Sequence, residues 1–207
     1  MYLSRLVLNA SHPQARRDLG SAYEMHRTLS RVFAENADTP PARFLWRLGR
    51  RGDFLPSSMV LVQAAIPANW RELDAFPGYA TEILGNKEVD EFSLIQSGAR
   101  YRFRLLANPT VTRVGKRHGL SREEDQLDWL RRQGDRHGFI VHGCVRGAAE
   151  RLHVHHGGSA RRITLDTALF EGHLEATEAD LLRQALLHGL GHGKAMGLGM
   201  LSVARQG

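Results

Sequence analysis

Residues 99–108 read ARYRFRLLAN, a run in which basic and apolar side chains alternate with a period of two. That is the period of a β-strand and not the 3.6 of a helix, so Arg100, Arg102 and Arg104 share one sheet face while Tyr101, Phe103 and Leu105 share the other. The chain beyond this strand keeps switching period in a fixed order. A glycine- and base-rich loop, TRVGKRHGL, leads into SREEDQLDWLRRQ, where Ser121 and Glu124 stand at capping-box spacing and predict a helix. GFIVHGCV (138–145), RLHVHH (151–156) and RITLDTALFEG (162–172) are strand candidates, TEADLLRQALLHGLG is a helix opened by Thr177 and Asp180, and GMLSVA is a short last strand.

The first 90 residues carry the same theme. YLSRLVLN (2–9) reads as a strand, with Leu3, Leu6 and Leu8 providing bulk. After Gly20, SAYEMHRTLSRVFAE places Met25, Leu29, Val32 and Phe33 on one helical stripe. Residues 42–48 and 58–66 are strands, NWRELDAF (69–76) is a short helical piece, and GYATEILGNKEV is a weakly patterned last strand. The economical summary is an α+β chain of two tandem ferredoxin-like βαββαβ domains with antiparallel sheets, expected at 1–90 and 97–207 with a linker around 85–98. The similarity of the halves is architectural, with no clear sequence repeat.

A chain of 207 residues can bury a core in each domain without staples. Cys144 is the single cysteine, which excludes an internal disulfide and points to a reducing cytoplasm. No apolar run approaches the roughly 20 residues of a membrane span, and the N-terminus has no charged lead or cleavage site, so neither a membrane nor a signal peptide is expected. Net charge is +6 and the sequence pI is about 10.1, a balance that favours polyanionic partners.

Near the C-terminus, GLGHGKAMGLG packs five glycines and a lysine into residues 189–199. Glycines can expose consecutive N–H groups to an anion. A Walker A loop is excluded, because His188 stands where its first glycine should be and Ala195 replaces the metal-binding hydroxyl. A dinucleotide fingerprint follows a strand and opens a helix, whereas this run follows a helix and opens a strand.

With its apolar face removed, the first-domain helix leaves Tyr23, His26, Arg27, Ser30 and Arg31 on one contiguous stripe. A phenol, an imidazole and two guanidinium groups can move protons and hold phosphate oxygens, although a solvated helix face has the same pattern. Three arginines on one strand face repel one another unless something anionic lies across them. A charged outer face and a nucleic-acid surface both fit. Arg113, Lys116, Arg117 and His118, then Arg146, Arg151, Arg161 and Arg162, continue the basic track. HVHHGG (153–158) matches no zinc pattern, and a polar strand end or nucleic-acid contact explains it better.

Four features in order, MYLSRLVLN, YEMHRTLSR, YRFRLLANPT and LFEGHLEA…GLGHGKAMGLGMLSV, resemble the CasE-type CRISPR endoribonucleases, the subunit of the type I-E Cascade complex that cuts precursor CRISPR RNA. The match covers essentially the whole chain. The resemblance implies tandem ferredoxin-like domains, repeat stem-loop RNA and other Cascade subunits as partners, and no cofactor or metal. It implies cutting at the 3′ base of the stem by the adjacent 2′-hydroxyl, leaving a 2′,3′-cyclic phosphate and a 5′-hydroxyl. Tyr23 and His26 fall on the family's tyrosine and histidine, Arg31 on its helix lysine and Arg161 on its strand lysine. An arginine gives up no proton readily, so Arg161 is assigned to charge stabilisation only.

Such a reaction needs a base for the 2′-oxygen, an acid for the 5′-oxygen and cations for developing charge. Tyr23 and His26 can divide the proton transfers either way. Arg27, Arg31, Arg100, Arg102, Arg104, Arg113, Lys116, Arg117 and Arg162, with Gly191, Gly193 and Lys194, are the expected RNA contacts. The competing classes are a non-catalytic RNA-binding subunit, which would not need His26, and a metal-dependent hydrolase on the His cluster, which chelator would silence.

Overall fold

In the first strand, β1 (Tyr2–Leu8), Ser4, Leu6 and Leu8 point to the core while Leu3 lies on the other face, as strict alternation requires. The computed structural model describes residues 1–36, 38–49, 58–147, 150–155 and 162–206, with the side chains of 150, 153–155, 162 and 163 outside that description. The chain divides into two compact units, one built on Met1–Val89 and Ala195–Gly197, the other on Asp90–His153, Arg162–Lys194 and Leu198–Gly207.

In the first unit β1 is followed by α1 (Pro13–Gly20), α2 (Ala22–Arg31), β2 (Phe44–Leu48), β3 (Met59–Ala64), a 3-10 helix (Trp70–Ala75) and β4 (Ala80–Glu88). The sheet order is β2-β3-β1-β4, with every pairing antiparallel. This is the ferredoxin-like order, with the second helix reduced to a 3-10 helix. Leu6, Leu8, Met25, Leu29, Phe33, Trp46, Val60, Val62 and Tyr79 form its core.

Helix α1 has no counterpart among the elements expected from sequence. Pro13 opens it, and the His12 ring accepts from the Gln14 N–H at 3.2 Å in the place of a Ser or Thr cap. Its inward residues are Ala15 and Asp18, so it shows almost no apolar stripe. Asp18 is fully buried; Tyr79 donates to it at 2.7 Å and Gln14 at 2.9 Å, and the Gln14 amide also reaches the Thr28 hydroxyl on α2 at 3.3 Å. A buried carboxylate held by donors from its own helix and from a distant element locks α1 beneath α2.

The second unit repeats the topology with α3 (Glu91–Leu94), β5 (Arg100–Ala107), β6 (Thr110–Arg113), β7 (Lys116–Gly119), α4 (Glu123–His137), β8 (Phe139–Arg146), β9 (Glu150–His155), β10 (Arg162–Ala176), α5 (Ala179–His188), a 3-10 turn (Lys194–Met196) and β11 (Leu201–Arg205). Its main sheet runs β11-β5-β10-β8, again antiparallel, with β9 beside β10. The chain is thus a tandem ferredoxin-like α+β protein. Tyr101, Phe103, Leu105 and Phe170 are buried with Trp129 of α4, whose indole stacks on Phe170 at 6.1 Å.

Three local expectations are corrected, and the 85–98 stretch, which holds the end of β4 and α3, contains the Val89/Asp90 boundary of the two units. The base-rich loop after β5 is a hairpin, β6–β7, joined by the two-residue turn Val114-Gly115. Ser121 is not the cap: α4 starts at Glu123 behind Arg122, where Glu123, Glu124 and Asp125 place negative charge on the positive end of the helix. Thr177 does not cap α5, because the N–H groups of Thr177 and Glu178 both go to the Gly138 carbonyl, at 2.9 and 3.0 Å.

Candidate functional site

Helix α2 is opened by Ser21, whose hydroxyl accepts from the Glu24 N–H at 3.4 Å. Met25, Thr28 and Leu29 are buried, which leaves Tyr23, His26 and Ser30 half-buried and Arg27 and Arg31 exposed. The expected stripe therefore exists, and its imidazole has a specific setting. His26 stacks on Phe44 of β2 at 5.0 Å and 22°, and Phe44 stacks in turn on Phe33 at 4.7 Å. Nδ1 of His26 is buried with no hydrogen-bond partner among the described residues, so Nε2 is the nitrogen left to meet a ligand. Burial pushes the His26 pKa below its ordinary 6.5. The ring is consequently neutral at pH 7 and can accept a proton there.

The helix cations are less free than the sequence implied. Glu24, on the same helix, pairs with Arg27 at 2.8 Å and with Arg17 of α1 at 3.0 Å. The Arg31 guanidinium lies over the Phe76 ring, 5.2 Å from its centroid. Sequence reasoning gave Glu24 no role, although its spacing to Arg27 on one helix was a readable signal. Arg161 lies outside the described residues, as does the side chain of Arg162, and so do the side chains of the HVHHGG cluster.

In the second unit, β10 supplies the anions that the β5 arginines require. The register sets Arg100 opposite Glu175, Arg102 opposite His173 and Arg104 opposite Glu171. Arg100 and Glu175 pair at 3.1 Å, Arg104 and Glu171 at 2.9 Å, and His142 also reaches Glu175 at 3.0 Å. Two of the three arginine charges are thus matched inside the protein. Arg102 is exposed and has no carboxylate partner among the described residues.

Arg113, Lys116 and Arg117 stand exposed on the β6–β7 hairpin. Behind the hairpin, a groove of about 740 Å³ is lined by Thr110, Thr112, Arg113, Arg132, Arg136 and His192 among others. Arg132 and Arg136, spaced i, i+4 on α4, escaped sequence reasoning even though that spacing puts them on one face. Burial first, then the charges of Arg117 and Lys194, hold His192 below its ordinary pKa. The positive field there acts on a neighbouring titratable group.

The glycine run is closely packed against its surroundings. Gly189, Gly191, Gly193, Gly197 and Gly199 all have positive φ. The Gly199 N–H donates to the Leu106 carbonyl at 2.7 Å and the Leu190 N–H to the Gly199 carbonyl at 2.8 Å, while Asn108 and His192 form a bridge. A Cβ on Gly191 would lie 2.9 Å from the Trp129 ring, and one on Gly197 2.9 Å from the Trp46 ring. The Leu190 and Gly199 N–H groups are therefore already engaged, one within the run and one on Leu106 of β5.

Two ferredoxin-like units, with a half-buried histidine on a helix of the first and a cationic hairpin on the second, make this a tandem ferredoxin-like protein. The family model described as CRISPR associated protein matches residues 1–205, and this chain belongs to that family. It is 36% identical, over 99% of its length and 100% of the relative, to the CRISPR-associated endoribonuclease Cse3 of Thermus thermophilus. It is 29% identical, over 99% of both chains, to the CRISPR system Cascade subunit CasE of Escherichia coli. A solved structure of Cse3 bound to a 19-nucleotide RNA superposes with a TM-score of 0.87 at 35% identity, over 99% of this chain and 100% of that one.

Proposed function

We propose that this chain is an endoribonuclease that cuts precursor CRISPR RNA at the 3′ base of the repeat stem-loop. The 2′-hydroxyl beside the scissile phosphate attacks the phosphorus, the bond to the 5′-oxygen breaks, and the products carry a 2′,3′-cyclic phosphate and a 5′-hydroxyl. The nucleophile belongs to the substrate, so no metal-activated water is needed. The observation that carries this reading is His26, a half-buried imidazole on α2 that is stacked on Phe44 with its Nδ1 buried.

A neutral His26 suits removal of the 2′-proton through Nε2, and Tyr23 then gives its phenolic proton to the departing 5′-oxygen. Arg161 is assigned to the charge that develops on the phosphorane oxygens. Arg27, with its charge shared by Glu24, and Arg31, held over Phe76, then serve the flanking phosphates. The N-terminal domain, 1–90, carries the catalytic helix. The C-terminal domain, 97–207, grips the RNA through Arg102, the hairpin cations Arg113, Lys116 and Arg117, and Arg162. In this reading Gly191, Gly193 and Lys194 contribute a close-packed turn and one cation.

The partners are the repeat stem-loop RNA, before and after cutting, and other Cascade subunits, in the cytoplasm. No described helix is long and apolar enough to cross a membrane. His26→Ala should abolish cutting of the repeat stem-loop while repeat binding stays within a few-fold. A His26→Ala protein that cuts at the wild-type rate overturns the assignment. Wild-type protein that binds the repeat and never cuts it makes this a recognition subunit instead.

A further inference from the structure

The tip of the β6–β7 hairpin is built against its own local chemistry. The register pairs Arg113 with Lys116, so Val114 and Gly115 are the two central residues of a tight turn. Both have positive φ, 48° at Val114 and 71° at Gly115. That is the type I′ geometry, for which Asn-Gly is the favoured pair, and a β-branched residue in the left-handed region is a true outlier. The Val114 side chain is also fully exposed. Nothing among the described residues compensates it: β6 and β7 form a two-stranded sheet of their own, and every residue of β7 is exposed. A hairpin of that kind is marginal in water even with a favourable turn.

An apolar side chain held in strain in open solvent is explained by something that covers it when bound. The surroundings say what. Residues 110–119, TVTRVGKRHG, contain no acidic residue. Arg113, Lys116 and Arg117 are exposed and have no carboxylate partner among the described residues. A partner that offers an apolar surface ringed by closely spaced negative charge is a nucleic acid, whose bases are apolar faces between phosphates. Within a continuous stack those faces are hidden, so the available one belongs to an unstacked base or to the end of a stem.

We propose that Val114 is an RNA contact residue, its isopropyl group covering the face of an exposed nucleobase while Arg113, Lys116 and Arg117 hold the phosphates on either side. The proposal rests on the reading of the hairpin as part of the RNA surface. Its consequence is a separation of two quantities that move together for most exposed residues. Val114→Asn installs the preferred turn pair, so the hairpin gains local stability while the apolar contact is lost.

The experiment uses the full chain and a repeat stem-loop RNA from its own array, 2′-deoxy at the cut site so that binding is read without cleavage. Affinity is titrated at several salt concentrations for Val114→Asn, Val114→Thr and Lys116→Ala. Partial burial of one valine corresponds to about a 3- to 10-fold loss of affinity in Val114→Asn. Its salt slope should equal that of the wild type, because no charge is removed. Val114→Thr, which keeps the shape and the strain, should fall between the two. Lys116→Ala should lower both affinity and slope. Single abasic substitutions in the RNA then locate the base: at one position, and only there, the abasic change should cost the wild type affinity and cost Val114→Asn nothing more. Wild-type affinity in Val114→Asn alongside weakened Lys116→Ala would overturn the contact and leave the hairpin on the RNA path. Wild-type affinity in both would overturn the proposal together with the reading beneath it. Additive losses at every abasic position would overturn the nucleobase as the occupant.

Discussion

Gly197→Ala tests what the glycine run is for. Gly197 has φ +74°, and a Cβ there would stand 2.9 Å from Cζ3, 3.0 Å from Cη2 and 3.2 Å from Cε3 of Trp46. Trp46 is only 2% exposed and belongs to the first-unit core, so its rigid ring has nowhere to move. Gly78 provides the control in the same unit. Its φ is +79° and a Cβ there meets nothing within 4 Å. Gly78→Ala therefore carries only the left-handed penalty, about 1–2 kcal/mol. Gly197→Ala carries that penalty plus an overlap of about 1–3 kcal/mol for a methyl forced against a packed ring. The expected total is about 2–5 kcal/mol, with the excess over Gly78→Ala as the packing contribution. Urea denaturation of both variants, with the m-value checked for constancy, reads the difference directly. Equal losses in the two would refute the packing account. The backbone freedom of Gly197 would then have to be explained by a ligand.

Tyr79→Phe removes a donor from buried Asp18. Burial raises the Asp18 pKa above 3.8 in the folded protein, so the folded state binds the proton more readily and stability falls as pH rises from 3.8 through the folded value. Loss of the tyrosine donor raises that pKa further. The destabilisation should thus grow from about 1 kcal/mol at pH 4 to about 2–3 kcal/mol at pH 8, and a penalty independent of pH would show that Asp18 is not the group involved. On the sheet, Arg102→Ala should weaken RNA binding and flatten its salt slope by about one, whereas Arg100→Ala and Arg104→Ala, whose charges are already matched by Glu175 and Glu171, should change the slope less. Equal slope changes in all three would mean that the cross-strand pairs open when RNA binds.

How much of the molecule was legible in the sequence depends on the range of the interactions. The period of β5 and the stripe on α2 are local patterns, and both the strand and the polar face are where they were expected. Helix α1 was invisible because its inward residues are an alanine and an aspartate whose partner, Tyr79, is far along the chain. The hairpin was hidden because its turn is Val-Gly and not Asn-Gly, so the strongest short-range signal was absent. The balance of charge on β5 depends on glutamates in β10 that meet it only through sheet register. The glycine run reads from sequence as an anion cradle, and its close fit to the Trp46 and Trp129 rings was hidden because those residues lie at distant positions.

The measurement that bears most directly on the central claim is cleavage of a repeat stem-loop RNA in excess EDTA, beside the same RNA carrying one 2′-deoxy residue at the cut site. The account predicts that the all-ribose RNA is cut to a 2′,3′-cyclic phosphate and a 5′-hydroxyl, and that the 2′-deoxy RNA is bound and left intact. Cutting of the 2′-deoxy RNA, or loss of all cutting in EDTA, would contradict attack by the substrate's own hydroxyl with His26 and Tyr23 moving the protons.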